Sequence, residues 1–369
     1  MSTRLTRLLG AEVPIIQGPF GGGLSSVALT AAVSGAGGLG SFGANHLDPD
    51  AITDLVAELR AAVPANRPFN VNLWVPHPQE AALRPAPADF ERLRPIYDRL
   101  GIPAPTAYTP PPAFDDQVDA LLAAQPPVIS FVMGTPSARV VAEARRRGIV
   151  TIGTATTVDE AAAVEAAGLD VVVASGSDAG GHRGAFLRPV TESLVGTFSL
   201  IPQAVDAVDI PVVAAGGIAD HRGVTAALAL GAAGVQVGTG FLATAQSGAS
   251  PVHKAALTGP DARVTVLTRL FSGRAARAII NPLIRELAAE EANVPAYPVQ
   301  NALMQPLRRA AAARDDSRYV NLWAGQAASL SRPVTAQEYL AGLVMGALPA
   351  PGTRWPSSRP SRGTDPGGN

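Results

Sequence analysis

The sequence predicts an α/β chain folded as a (β/α)8 TIM barrel, with an insertion after the third strand and a helical region after the eighth. Three observations carry that expectation. Eight short apolar runs, rich in β-branched residues, recur over the first 240 residues without polar alternation, the pattern of strands buried on both faces. Ala-rich helical stretches separate them, and strand–helix alternation in that order is the sequence form of a parallel barrel. The rival, a doubly wound sheet, would show an early GxGxxG turn with an acidic residue about 20 positions later. The cluster Gly21-Gly22-Gly23 lacks that spacing.

The expected strands, in order, are Val13–Gly18, Leu39–Ala44, Phe69–Trp74, Val128–Met133, Val150–Ala155, Val171–Gly176, Pro211–Ala215 and Gly234–Gly238. Helices are expected at Ser25–Ser34 and at Asp48–Ala62, where Asp48 is a usable cap. Ser137–Arg147 ends in three arginines and Gly148, a favourable C-terminus for the helix dipole. Thr157–Ala167 and Asp220–Leu230 each stop at a glycine. Residues 75–115, with PHPQ, RPAPADF and TPPPAF, are too long and Pro-rich for an ordinary loop. They read as a lid over the barrel mouth with a short helix at Asp89–Leu100. The expected division is a barrel over 1–249, a helical region packed on it over 250–349, and a disordered Pro/Gly/Ser/Arg-rich tail over 350–369.

Composition narrows the function. With 29 Lys+Arg against 30 Asp+Glu in 369 residues, the net charge is -1, so a basic nucleic-acid surface is not expected. The absence of cysteine excludes disulfides, thiol catalysis, Cys-ligated zinc and iron–sulfur clusters. No signal-peptide pattern and no run of 18 apolar residues occurs. The expectation is a cytoplasmic protein with no membrane and no nucleic-acid partner; a homodimer is left open.

In such barrels the site is built at the C-terminal ends of the strands. Those ends read Gln17-Gly18-Pro19-Phe20-Gly21-Gly22-Gly23, Gly43-Ala44-Asn45-His46, Asn72-Leu73-Trp74, Met133-Gly134-Thr135, Gly153-Thr154-Ala155, Ser175 to Gly184, Gly216-Gly217 and Gly238-Thr239-Gly240. The paired glycine clusters after the seventh and eighth strands let backbone N–H groups approach an anion, so together they point to a phosphate; singly, each reads as a tight turn. No GxxxxGK[ST] loop is present. His182 lies among Gly180, Gly181 and Gly184, where an imidazole can meet a flat ligand as base or donor. Arg183 is open between anion contact and structural role. His46 could line the site, while His77, His221 and His253 read as solvated or structural. No HExxH spacing or carboxylate cluster suggests a metal. Ser25 and Ser26 read as helix caps rather than nucleophiles, and no GxSxG elbow occurs.

These residues together resemble the nitronate monooxygenase family, formerly called 2-nitropropane dioxygenases. The resemblance runs from about Pro14 to Gly325 and rests on PIIQGPFGGGLSSVALTAAVSGAGGLGSFG, FNVNLWVP, VISFVMGTP, SGSDAGGHRG, AAGGIADHRGVTAALALGAAGVQVGTGFL and LWAGQ. It implies non-covalent FMN and oxidation of alkyl nitronates by O2 to carbonyl products and nitrite, with a small anionic nitronate or nitroalkane as substrate. It implies that His182 is catalytic, taking a proton from a nitroalkane or holding the nitronate. Gly216, Gly217, Gly238 and Thr239 would hold the phosphate. Gln17, Gly18, Pro19, Phe20, Asn72, Gly180 and Gly181 would contact the flavin, with Thr154 and Ser175 beside it. Two departures stand out: Phe20 where members often have methionine, and Ser175 with Asp178 where Gln and Glu are common. The alternatives are an FMN-dependent enoyl-acyl-carrier-protein reductase using NAD(P)H, a secondary-metabolism flavin oxidoreductase on the same scaffold, and a non-catalytic phosphate-binding barrel.

Overall fold

The computed structural model describes residues 3–347; the tail at 350–369 lies outside the described residues. Its strands are β1 (Ile15–Gln17), β2 (Gly40–Gly43), β3 (Phe69–Trp74), β4 (Val128–Val132), β5 (Val150–Ala155), β6 (Val171–Ser175), β7 (Gly181–His182), β8 (Val212–Ala215), β9 (Gly234–Val237), β10 (Thr265–Thr268) and β11 (Ala276–Ile279). Each of the eight expected runs holds one barrel strand. They pair in the order β1-β9-β8-β6-β5-β4-β3-β2, all in parallel. The ring closes between β1 and β2, where Gln17 N–H donates to Leu39 C=O (2.9 Å) and Leu39 N–H to Ile15 C=O (3.0 Å).

The barrel is filled rather than hollow. Ile16, Ile152, Val171, Val173 and Val213 point inward, and the N-terminal helix Arg4–Leu9 plugs the end away from the site with Leu5 and Leu9. Truncating Leu5, fully buried, would cost about 2–5 kcal/mol by opening a cavity at the plug. The anticipated caps form at Ser26, whose Oγ accepts from Leu29 N–H, and at Asp48, which accepts from Ala51 N–H; Thr157 also caps its helix, accepting from Glu160 N–H. The insertion helix runs Pro87–Leu100. Helices Phe114–Ala124 and Thr197–Ala207, not anticipated, complete the ring; Pro202 interrupts the pattern of the second.

The chain after β9 departs from expectation in two ways. First, it is not purely helical. β10 and β11 form an antiparallel hairpin, and β7 adds to its edge with His182 opposite Ala276. Each strand has four residues or fewer, too short to give a clear period. Second, the division expected at residue 249 does not follow the cores. Helix Ala336–Ala347 packs with Leu29, Val33, Val224 and Val235 of the barrel through Leu340 and Leu343, so it takes the place of the eighth barrel helix. What lies between is inserted into the eighth β/α unit. That segment shares one core with the earlier insertion: Leu93, Ile96 and Tyr97 pack with Leu270, Phe271, Leu303 and Leu307. Tyr97 Oη donates to Leu303 C=O at 2.5 Å.

Candidate active site

The C-terminal ends of the barrel strands open into a cavity of about 700 Å³. Gly18, Pro19, Phe20, Asn72, Thr154, Ser175, Gly180, Gly181, His182, Gly216, Gly217, Gly238 and Thr239 all line it. The exception among the expected residues is Gln17. Its side chain is fully buried inside the barrel, accepting from Ser41 N–H at 2.8 Å and donating to Gly18 C=O. Its polar atoms are committed to holding β1 against β2, so it shapes the Gly18–Phe20 segment without facing the cavity.

One corner is made of backbone. Gly216 (φ +108) and Gly217 (φ +68) turn the chain after β8 in conformations that side chains rarely adopt. Gly238 and Thr239 open the short helix after β9. The LWAGQ segment seals this corner. Gly325 N–H donates to Thr239 Oγ1 (2.9 Å) and Gln326 N–H to Asp178 C=O (2.9 Å). A Cβ on Gly180 would lie 2.4 Å from Gly325 N, so a glycine there lets the two segments meet. Ser25 Oγ accepts from Phe20 N–H at 3.0 Å, pinning the Gly-rich loop after β1 rather than serving as a nucleophile.

The opposite wall is made of side chains around His182. The imidazole meets Trp74 edge-on at 4.8 Å between ring centroids and Trp323 at 5.1 Å. Its Nε2 lies 2.8 Å from Ser272 Oγ. Arg274 stacks over Tyr297 (4.5 Å) and Trp74 (5.6 Å) and is ion-paired to Glu80 of the insertion after β3. Helix Val299–Ala313 brings Asn301, Gln305, Arg308 and Arg309 to the cavity edge. Sequence reasoning missed Ser272, Arg274 and Arg308. Trp323 was visible only as part of LWAGQ.

Among the described residues no Asp or Glu lines the cavity. Asp178, in the loop after β6, accepts from Thr197 N–H at 2.8 Å. Burial, then the charges of Arg274 and Arg308, push the His182 pKa down to about 3, because a desolvated imidazole beside cations resists protonation. Burial, Arg308 and Arg309 lower His46, which also lines the cavity, to about 4. His253 reaches the cavity edge, but burial lowers it to about 4 and its Nε2–H donates to Trp323 C=O at 3.0 Å. Its role is to hold Trp323. Arg183 is structural: its guanidinium donates to Gly176 C=O (2.6 Å) and Ser175 C=O (3.0 Å). His77 and His221 are exposed. Among the described residues no cluster of three His, Asp or Glu could hold a metal ion.

The same arrangement of segments is found in known proteins. The nitronate monooxygenase profile matches residues 2–346. The chain belongs to the nitronate monooxygenase family. A probable nitronate monooxygenase of Staphylococcus aureus is 39% identical over 343 residues, covering 92% of this chain and 96% of that protein. The solved nitroalkane oxidase of Streptomyces ansochromogenes superimposes with a TM-score of 0.86 at 39% identity, covering 93% and 97%. FabK of Thermotoga maritima is more distant, at TM-score 0.74 and 31% identity, covering 94% and 96%. As a member of the nitronate monooxygenase family the chain is an oxidoreductase, and among its described residues no helix is long and apolar enough to cross a membrane.

Proposed function

We propose that the protein binds FMN and oxidises alkyl nitronates, and nitroalkanes, with O2 to carbonyl compounds and nitrite. The observation that carries this reading is the pairing, in one acid-free cavity, of a glycine-built corner with a neutral imidazole fixed between two tryptophans. The corner fits a phosphoryl group: Gly216, Gly217, Gly238 and Thr239 present backbone there, and among the described residues no carboxylate lines the cavity to repel an anion. Gly181, where a Cβ would meet nothing within 4 Å, leaves space for a flat ring beside His182.

A bound flavin supplies the redox chemistry; the chain supplies binding, orientation and a place for a proton. Gly18–Phe20 and Asn72 form walls against which the ring can lie, and Asn72 is fixed by donating to Ser130 C=O and Oγ. His182 is neutral, so with a nitroalkane it accepts the α-proton at a ring nitrogen; a nitronate arrives already ionised. The positive charges of Arg274 and Arg308 disfavour the imidazolium but favour the nitronate formed beside it, so the ion pair forms together.

The test is an absorption spectrum of the purified protein followed by a nitrite assay on propionate 3-nitronate in air without NADH. A flavin spectrum and nitrite release are expected; a protein that stays colourless after FMN addition sinks the reading. The likeness to FabK supports a second reading, NAD(P)H-dependent enoyl reduction. Rapid anaerobic bleaching of the flavin by NADH would favour it instead.

A further inference from the structure

Ser272 sits in the loop between β10 and β11, fully buried, with three polar neighbours around its Oγ. His182 Nε2 is 2.8 Å away, Arg274 C=O 3.1 Å and Arg274 N 3.3 Å. A hydroxyl has one proton to give and two lone pairs to receive. One assignment makes all three contacts productive. The hydroxyl donates to the Arg274 carbonyl and accepts from the Arg274 N–H and from His182 Nε2–H. The reverse, with the hydroxyl donating to Nε2, leaves it facing the carbonyl oxygen at 3.1 Å with no proton between them. In a buried site an unproductive polar contact is costly. The other ring nitrogen, Nδ1, has no hydrogen-bond partner among the described residues, and His182 lines the cavity.

We infer that Ser272 is a positioning residue that holds His182 as its Nε2–H tautomer, so that Nδ1 is the lone pair offered to the substrate. The bond made by one ring nitrogen sets the protonation of the other. This inference rests on the proposal that His182 takes the α-proton of a nitroalkane. In that step the C–H bond breaks and its electron pair stays on the nitronate. The N–H bond forms at Nδ1, and nothing is oxidised. As the ring becomes cationic, the Nε2–H bond to Ser272 becomes charge-assisted and strengthens. The ring is otherwise constrained at its root by the pairing of His182 with Ala276 and by its T-shaped contacts with Trp74 and Trp323. Those contacts fix where the imidazole lies, and they leave its proton free to choose either nitrogen.

The experiment uses the flavin-loaded enzyme labelled with [15N]histidine. Two-bond 1H–15N correlation spectra report which nitrogen carries the proton, with the His182 signals assigned by their loss in His182→Asn. The expected wild-type pattern is Nε2–H. Ser272→Ala should lose that single tautomer, and its kcat/KM on a neutral nitroalkane should fall about 10-fold or more. The loss on the matching nitronate should be smaller, and Ser272→Thr should restore both the tautomer and the nitroalkane rate. A wild-type spectrum showing Nδ1–H overturns the inference even if the alanine variant does not fold, as does an alanine variant with an unchanged tautomer. Failure of the broader functional reading is seen separately: wild-type enzyme would then release no nitrite from the nitronate, whatever the spectra show.

Discussion

The glycine corner at β8 and β9 and the wall around His182 face one cavity but are built by different means. The corner is backbone, shaped by left-handed glycines at 216 and 217 within a few residues of a strand end. The wall is side chains delivered from far along the chain. Ser272 is 90 residues from His182, and Glu80 is 194 from Arg274. A local conformational demand leaves a local mark in sequence; a long-range contact leaves none until the fold brings its partners together.

The largest expected effect tests the wall. His182→Asn should cost about 100-fold or more in turnover of neutral nitroalkanes while flavin stays bound, read by steady-state kinetics beside an absorption spectrum. Unchanged turnover would remove the imidazole from the chemistry and leave the two regions with no division of labour. The corner comes next. Gly238→Asp should weaken FMN about 10-fold or more by placing a carboxylate against the phosphate, measured by fluorescence titration. Gly238 suits this better than Gly216, because a Cβ on Gly216 would also lie 2.6 Å from Thr197 Oγ1, whereas one on Gly238 meets only the Phe20 ring at 3.5 Å. Normal occupancy would move the phosphate elsewhere.

Smaller effects sharpen the contrast. Glu80→Gln leaves Arg274 without its carboxylate partner and should raise KM by a few-fold with flavin affinity unchanged, since that pair touches only the wall. A matching loss of flavin would show that the two regions are mechanically one. The smallest effect is an expected flatness. A lowered pKa means the neutral imidazole is lost only as pH falls through the folded value, about 3 for His182 and about 4 for His46. The kcat/KM for a nitronate should therefore be level between roughly pH 5 and 8. A limb with a midpoint near 6.5 would mean that His182 is solvated like an ordinary histidine.

Legibility follows the same divide. The eight barrel strands could be read because unalternating β-branched runs have no other good home, and Gly216, Gly217 and Gly238 could be read because glycine pairs at successive strand ends are a local pattern. Asp48 announced its helix by the same token. The β10–β11 hairpin was lost because four-residue strands carry no period, and with it went Ser272 and Arg274. Gln17 departs in the opposite direction: the family resemblance sets it against the flavin, yet its side chain turns back into the barrel to bond Ser41.

The seam in which Gly325 N–H meets Thr239 Oγ1 spans 86 residues of chain. In a protein made from its N-terminus onward, all eight barrel strands leave the ribosome before that stitch can be drawn. A chain stopped short of residue 325 would contain every barrel strand while lacking both this clasp and the helix Ala336–Ala347 that covers Leu29, Val33, Val224 and Val235.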